Sequence, residues 1–144
     1  MQLEIISMHS KLPAWIQSGL SEYLNRIPNH FCQINFKTLS LQKTESDFLK
    51  LVSPQSLMII LDSRGKNWST LELKKNFESW QQRAPKISLL IGGPNGFSED
   101  FLKQGQEIWS LSNLIFPHAL VQIMLLEQLY RVYSMIHNHP YHRA

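Results

Sequence analysis

A chain of 144 residues, 43% of them hydrophobic, has room for one sizeable core and is too short for two ordinary domains. The net charge of +3 and pI of about 9.1 permit an anionic partner such as RNA without demanding one, and the lone Cys32 excludes an intramolecular disulfide. No signal-type start is present, and the apolar run Leu114 to Leu126 is broken by Pro117, His118 and Gln122. A cytoplasmic protein with no membrane partner is therefore expected.

Gln2 to Met8 reads as a first strand. Leu12 to Leu24 is an amphipathic helix with Pro13 near its first turn. Ile34 to Leu39 alternates as a second strand, and the polar stretch Ser40 to Lys50 is expected to be helical, stopped by Ser53-Pro54. Leu57 to Leu61 is a continuous apolar strand. Ser69-Thr70 caps a helix to about Gln82 that turns Leu71, Leu73, Phe77 and Trp80 inward. Ile87 to Ile91 is short and uncharged, as a central parallel strand should be. After it come a Gly-rich loop, a short helix capped by Ser98 with Glu99 and Asp100 in its first turn, a strand near Ile108 to Leu111, and the longest helix, Leu120 to His137. This alternation predicts a single α/β domain with a mostly parallel sheet and helices on both faces.

Chemistry concentrates in two loops. Gly92-Gly93-Pro94-Asn95-Gly96 offers positive φ values and close backbone approach to a ligand, with Pro94 stiffening the turn. It is neither a Gly-x-Gly-x-x-Gly dinucleotide fingerprint nor a phosphate loop ending in Gly-Lys-Ser/Thr. Taken alone, the glycines fit a tight turn into a capped helix equally well. The second loop, within Trp109-Ser-Leu-Ser-Asn-Leu-Ile-Phe-Pro-His118, follows so closely that one small-molecule site built by both is expected.

These blocks resemble the SPOUT methyltransferases, in particular small members that methylate N3 of a pseudouridine in bacterial 23S rRNA. The resemblance runs nearly end to end. It rests on Leu61-Asp62 with Gly65-Lys66, the Leu89-Leu-Ile-Gly-Gly-Pro94 block, Trp109-Ser-Leu-Ser112, Phe116-Pro-His118, Glu127 with Leu129-Tyr-Arg131, and the tail Asn138-His-Pro-Tyr-His-Arg143. It implies a C-terminal trefoil knot over about residues 87–137, which periodicity alone could never justify. It also implies S-adenosylmethionine as methyl donor, with no metal, bound by Leu61, Gly92, Leu111, Ser112, Asn113, Leu114, Ile115 and Phe116. Adenine needs a dry slot and a few backbone hydrogen bonds, so an apolar set is chemically sensible. Without the resemblance, Leu61, Leu111 and Leu114 read as ordinary core.

The last helix carries Leu120, Val121, Met124, Leu125, Gln128, Leu129, Val132, Met135 and Ile136, a stripe wider than one packed face needs. A fully buried helix in a monomer would use it as well; the resemblance implies a homodimer. Gln122 stands where members of the family commonly carry Arg. In the tail, His137, His139 and His142 have no acidic or Cys companions, and Pro140 breaks the helix, so no metal pair is expected. The resemblance places this tail near the methyl donor. Tyr141 could then stack on a base, His142 has the intrinsic pKa to move the N3 proton, and Arg143 could stabilise the imidate or pair with phosphate. His118 is a second proton-transfer candidate, or simply the start of the long helix. The resemblance implies 23S rRNA, not DNA, as the partner. With no separate RNA-binding module in so small a domain, recognition within the large subunit or whole ribosome rather than of free RNA is expected. A non-catalytic ribosome-binding or assembly factor with the same fold is the alternative.

Overall fold

A computed structural model describes the backbone of residues 1–143 and the side chains through His142. Five strands form one sheet: β1 (Gln2–Met8), β2 (Gln33–Leu39), β3 (Leu57–Asn67), β4 (Lys86–Ile91) and β5 (Glu107–Ser110). Their spatial order is β2-β1-β4-β3-β5, and every pairing is parallel. Parallel neighbours need crossovers, and the helices supply them: α1 (Ala14–Arg26), α2 (Glu45–Leu51), α3 (Thr70–Arg83) and α4 (Glu99–Leu102), with α5 (His118–Ile136) and a 3₁₀ turn, Pro140–Arg143, following β5.

Strand residues alternate between two cores, as the pleat requires. Leu3, Ile5, Leu57, Ile59, Ile87 and Leu89 meet Leu73, Phe77 and Trp80 of α3 and Leu125, Leu126 and Leu129 of α5. Ile6, Met58, Ile60 and Leu90 face the other way, onto Phe48 of α2 and Phe101 and Leu102 of α4. The expected α/β architecture with helices on both faces is therefore observed. No helix among the described residues is long and apolar enough to cross a membrane.

Several boundaries differ from expectation for local reasons. The helix expected from Ser40 begins only at Glu45, because Thr44 and Asp47 form a capping box in which the Thr44 N–H donates to Asp47 Oδ2 at 2.8 Å. Leu71 is exposed, since it lies off the Leu73–Phe77–Trp80 stripe. Strand β3 continues past Leu61 through an irregularity and pairs Lys66 and Asn67 with Trp109 and Ser110. Gly65 permits this, because a Cβ there would lie 2.6 Å from the Ile108 carbonyl. Helix α5 ends where Asn138 takes a left-handed φ of 55°.

One charged group lies inside the sheet. Glu4 is 3% exposed. Its carboxylate accepts from the Ser53 N–H at 2.8 Å, from Ser53 Oγ at 2.9 Å and from Ser88 Oγ, and pairs with Lys37 Nζ at 2.8 Å. Burial pushes its pKa upward, but the bonds from Lys37, Ser88 and Ser53 outweigh it and bring the group to about 2.

Candidate functional site

In open α/β sheets ligands sit beyond the carboxyl ends of the strands. Here the chain leaves the β3–β4 pairing at Leu61, leaves β4 at Ile91 and leaves β5 at Ser110, and the three exits surround a cleft of about 290 Å³. Its walls are Leu61-Asp62-Ser63, the Gly-rich loop through Phe97, and the loop from Ser110 to Phe116. His118 and Val121 of α5 close it.

The glycines work differently from the sequence expectation. Among the described residues only Gly96 of the three has a positive φ, 65°. Gly92 and Gly93 are required for close packing instead: a Cβ would lie 3.0 Å from the Phe97 ring at Gly92 and 2.8 Å from Met8 Sδ at Gly93. The Phe97 ring is buried, stacked on Phe101 at 4.8 Å. The missing Gly92 side chain therefore makes room for the Phe97 wall of the cleft that Gly92 itself lines.

The second loop is shaped by its serines. Ser110 Oγ donates to the Ser112 carbonyl at 2.9 Å, and Ser112 Oγ accepts from the Leu114 N–H at 3.0 Å. Trp109 beneath it is buried and stacked on Trp68 at 5.3 Å. Leu114 and Ile115 are 71% and 94% exposed, an apolar lip at the mouth of the cleft. Asp62, in the segment that leaves β3, pairs with Arg64 at 2.8 Å. Burial acts to raise the Asp62 carboxyl, and the Arg64 hydrogen bonds outweigh it, so the group stays below the usual range and carries a negative charge. Burial first, then nearby His9, hold the His118 pKa below the ordinary imidazole value, which favours its neutral form at pH 7.

The structure thus brings Leu61, Gly92, Leu111, Ser112, Leu114, Ile115 and Phe116 to one cleft. Asn113 is not at its lining; it is exposed, and its side-chain oxygen accepts from Asn67 Nδ2, tying the loop to the end of β3. The tail is not brought to the cleft within one chain. Tyr141 lies over α5, its hydroxyl donating to Glu127 Oε1 at 3.0 Å and its ring 4.5 Å from that of Tyr130. Burial, then contacts with Tyr23 and Glu127, push its phenol well above the ordinary value. His142 Nδ1 is 2.8 Å from Ser134 Oγ. Ser134 lies thirteen residues along α5 from Val121, a separation of roughly 20 Å at the helical rise. The Arg143 side chain lies outside the described residues. Gln122 is 2% exposed and donates to Ser7 Oγ at 3.3 Å, so it faces the sheet and not solvent.

Sequence reasoning did not assign Asp62, Ser63, Phe97 and Val121 to the cleft. Asp62 had a usable signal, a polar residue ending an apolar strand. Phe97 and Val121 had none, since apolar residues at those places read as core.

The parallel sheet and its carboxyl-end cleft are those of an α/β ligand-binding protein, and the family match makes the class a SPOUT methyltransferase. Residues 1–142 match the family described as "Predicted SPOUT methyltransferase", and the chain belongs to that family. Among curated relatives it is 35% identical over 157 residues to the "Ribosomal RNA large subunit methyltransferase H" of Nitrosococcus oceani, covering 100% of this chain and 99% of the relative. It is 36% identical over 155 residues to the protein of the same name from Saccharophagus degradans, covering 99% of this chain and 100% of the relative. A solved structure, that of a probable methylase family protein from Haemophilus influenzae Rd KW20, superposes with a TM-score of 0.61 at 10% identity, over 96% of this chain and 69% of the other. That likeness concerns the fold alone.

Proposed function

We propose that this chain, as a homodimer, methylates N3 of a pseudouridine in 23S rRNA within the assembled large subunit or whole ribosome, using S-adenosylmethionine. The observation that carries the reading is the cleft at the carboxyl ends of β3, β4 and β5, apolar on its lip and edged by loop backbone, in a chain that matches rRNA large subunit methyltransferases over its full length. Such a donor set suits an adenosyl group. The proposal includes one catalytic domain spanning the chain and a trefoil knot over about residues 87–137. Held in the cleft, S-adenosylmethionine would supply an electrophilic methyl on its sulfonium, to be passed to N3 as the N3 proton is taken up by the protein and the thioether is left behind.

The residues of the chain provide the rest. Leu61, Gly92 and the loop from Leu111 to Phe116 bind and orient the donor, with Asn113 holding that loop from behind. His142 takes the proton, Arg143 stabilises the imidate, and Tyr141 stacks on the base. His142 is anchored roughly 20 Å from the cleft of its own chain, so these three act on the cleft of a second copy. The half-buried Leu120, Met124 and Met135 on α5 supply an apolar face for that copy.

The test follows labelled methyl from S-adenosylmethionine into ribosomes and into protein-free 23S rRNA. Ribosomes should be labelled and naked RNA hardly at all, and deleting Tyr141 to Ala144 should abolish transfer while the dimer persists. Equal labelling of both substrates would overturn recognition of the assembled particle, and full activity after deletion would overturn the role of the tail. Absence of cofactor binding would favour a non-catalytic ribosome-binding factor.

A further inference from the structure

The Phe97–Ser98 peptide, where the Gly-rich loop ends, has both polar groups held by charged side chains from distant parts of the chain. Arg64 Nη2 donates to the Phe97 carbonyl at 2.5 Å. The Ser98 N–H donates to Glu45 Oε2 at 2.5 Å, and Ser98 Oγ donates to Glu45 Oε1 at 2.8 Å. A cation faces the negative end of this peptide dipole and a carboxylate faces the positive end. Turning the peptide over would aim the carbonyl at the carboxylate and the N–H at the guanidinium, so one orientation is selected electrostatically.

Both clamps are themselves anchored. Arg64 Nε and Nη2 donate to the two oxygens of Asp62 at 2.8 and 3.0 Å, and the Arg64 N–H donates to the same carboxylate at 2.9 Å. Glu45 stands in the first turn of α2, beyond the Thr44 cap. The pair therefore ties the end of the β3–β4 pairing and the start of α2 to one peptide of the loop. The loop tip has little else to fix it. Asn95 and Gly96 are exposed, Gly96 has open space around its Cβ direction, and the tip is closed by the bond from the Gly96 N–H to the Gly93 carbonyl, 2.9 Å. Neither Arg64 nor Glu45 lines the cleft, but Asp62, on which Arg64 rests, and Phe97, whose carbonyl it grips, both do, so Arg64 bridges two neighbouring walls.

We propose that Arg64 and Glu45 are positioning residues for the methyl donor: by gripping the Phe97–Ser98 peptide they hold the loop wall in the shape that binds it. This rests on the reading above that S-adenosylmethionine occupies the cleft. Arg64 is about half exposed, but the Asp62 side chain it holds is 7% exposed. Arg64→Gln should therefore cost some stability by leaving that carboxylate mainly the residue 64 N–H. Glu45→Gln removes no partner from a buried charge and should fold without that loss.

The test titrates wild type, Arg64→Gln, Glu45→Gln and Arg64→Lys with S-adenosylmethionine by calorimetry, and follows amide hydrogen exchange across residues 92–98 without cofactor. Each Gln variant should bind about tenfold more weakly at unchanged stoichiometry, from the loss of a charge-assisted hydrogen bond. The Gly96 amide should exchange faster in both. Arg64→Lys should recover only part of the affinity, because an ammonium cannot hold Asp62 in a fork and reach the carbonyl at once. Wild type that binds while both Gln variants bind equally well, or unchanged exchange at Gly96, would overturn the proposal alone. Reduced stoichiometry at unchanged affinity would also overturn it, marking a purely structural role. Wild type that fails to bind would overturn the cofactor reading and this proposal with it.

Discussion

Replacing Glu4 with Gln should remove the share of the protein's acid sensitivity between about pH 5 and pH 2 that this one carboxyl supplies. The carboxyl titrates at about 2 in the fold against an ordinary value of 4.5. Each unit of that gap is worth about 1.4 kcal/mol, so ionisation of this one group contributes on the order of 3 kcal/mol. The sign follows from a pKa lowered by folding. The contribution is fully present above the unfolded value and disappears as pH falls toward 2, where both states bind the proton. At pH 7 the Gln variant turns an NH₂ toward donors at Ser53, Ser88 and Lys37 and loses the charge that satisfied them. It should be about 2–3 kcal/mol less stable there, and the difference should close as the pH approaches 2. Urea denaturation followed by tryptophan fluorescence at a series of pH values measures it, since Trp80 and Trp109 are buried in the main core. Other carboxylates titrate in both proteins and cancel in the difference. A difference that stays constant from pH 7 to pH 2.5 would refute the assignment of the shift to Glu4.

Gly65→Ala should destabilise the fold by about 2–3 kcal/mol, because its Cβ would meet the backbone of Ile108 and Trp109, which cannot step aside. Gly19→Ala is the control in urea midpoints: its Cβ meets only the flexible tip of Ile123, and α1 gains a better helix former, so little loss is expected. Gly92→Val should leave the protein folded but drive the Phe97 ring from its place, weakening S-adenosylmethionine binding in calorimetry by more than about tenfold; unchanged affinity would put the donor elsewhere. Met124→Glu, alone or with Met135→Arg, should weaken self-association by roughly 2–4 kcal/mol, read as a shift to monomer in sedimentation; wild type sedimenting as a monomer at micromolar concentration would remove the dimer from the proposal.

Local order was legible in the chain. The continuous apolar run from Leu57 to Leu61 located a strand buried on both faces, and the 3.6-residue stripe of Leu73, Phe77 and Trp80 located a helix buried on one. The Gly-Gly-Pro-x-Gly loop and the Trp-Ser-Leu-Ser block marked the two walls of a site for the same reason: small and turn-forming residues are needed where backbone must come close. Periodicity says nothing about which strand lies beside which. Only the order β2-β1-β4-β3-β5 sets Leu61 against Ile91 and Trp109, and so draws three loops from separate parts of the chain around one cleft. The same three-dimensional packing turned Gln122 inward onto Ser7, moved Asn113 off the lining, and laid Tyr141 and His142 on α5 away from the cleft. It also set Arg64 and Glu45 on one peptide, 33 and 53 residues away in sequence. Such contacts depend on directions in space that a local pattern of polar and apolar residues does not encode, and they arise only when the sheet has closed around them.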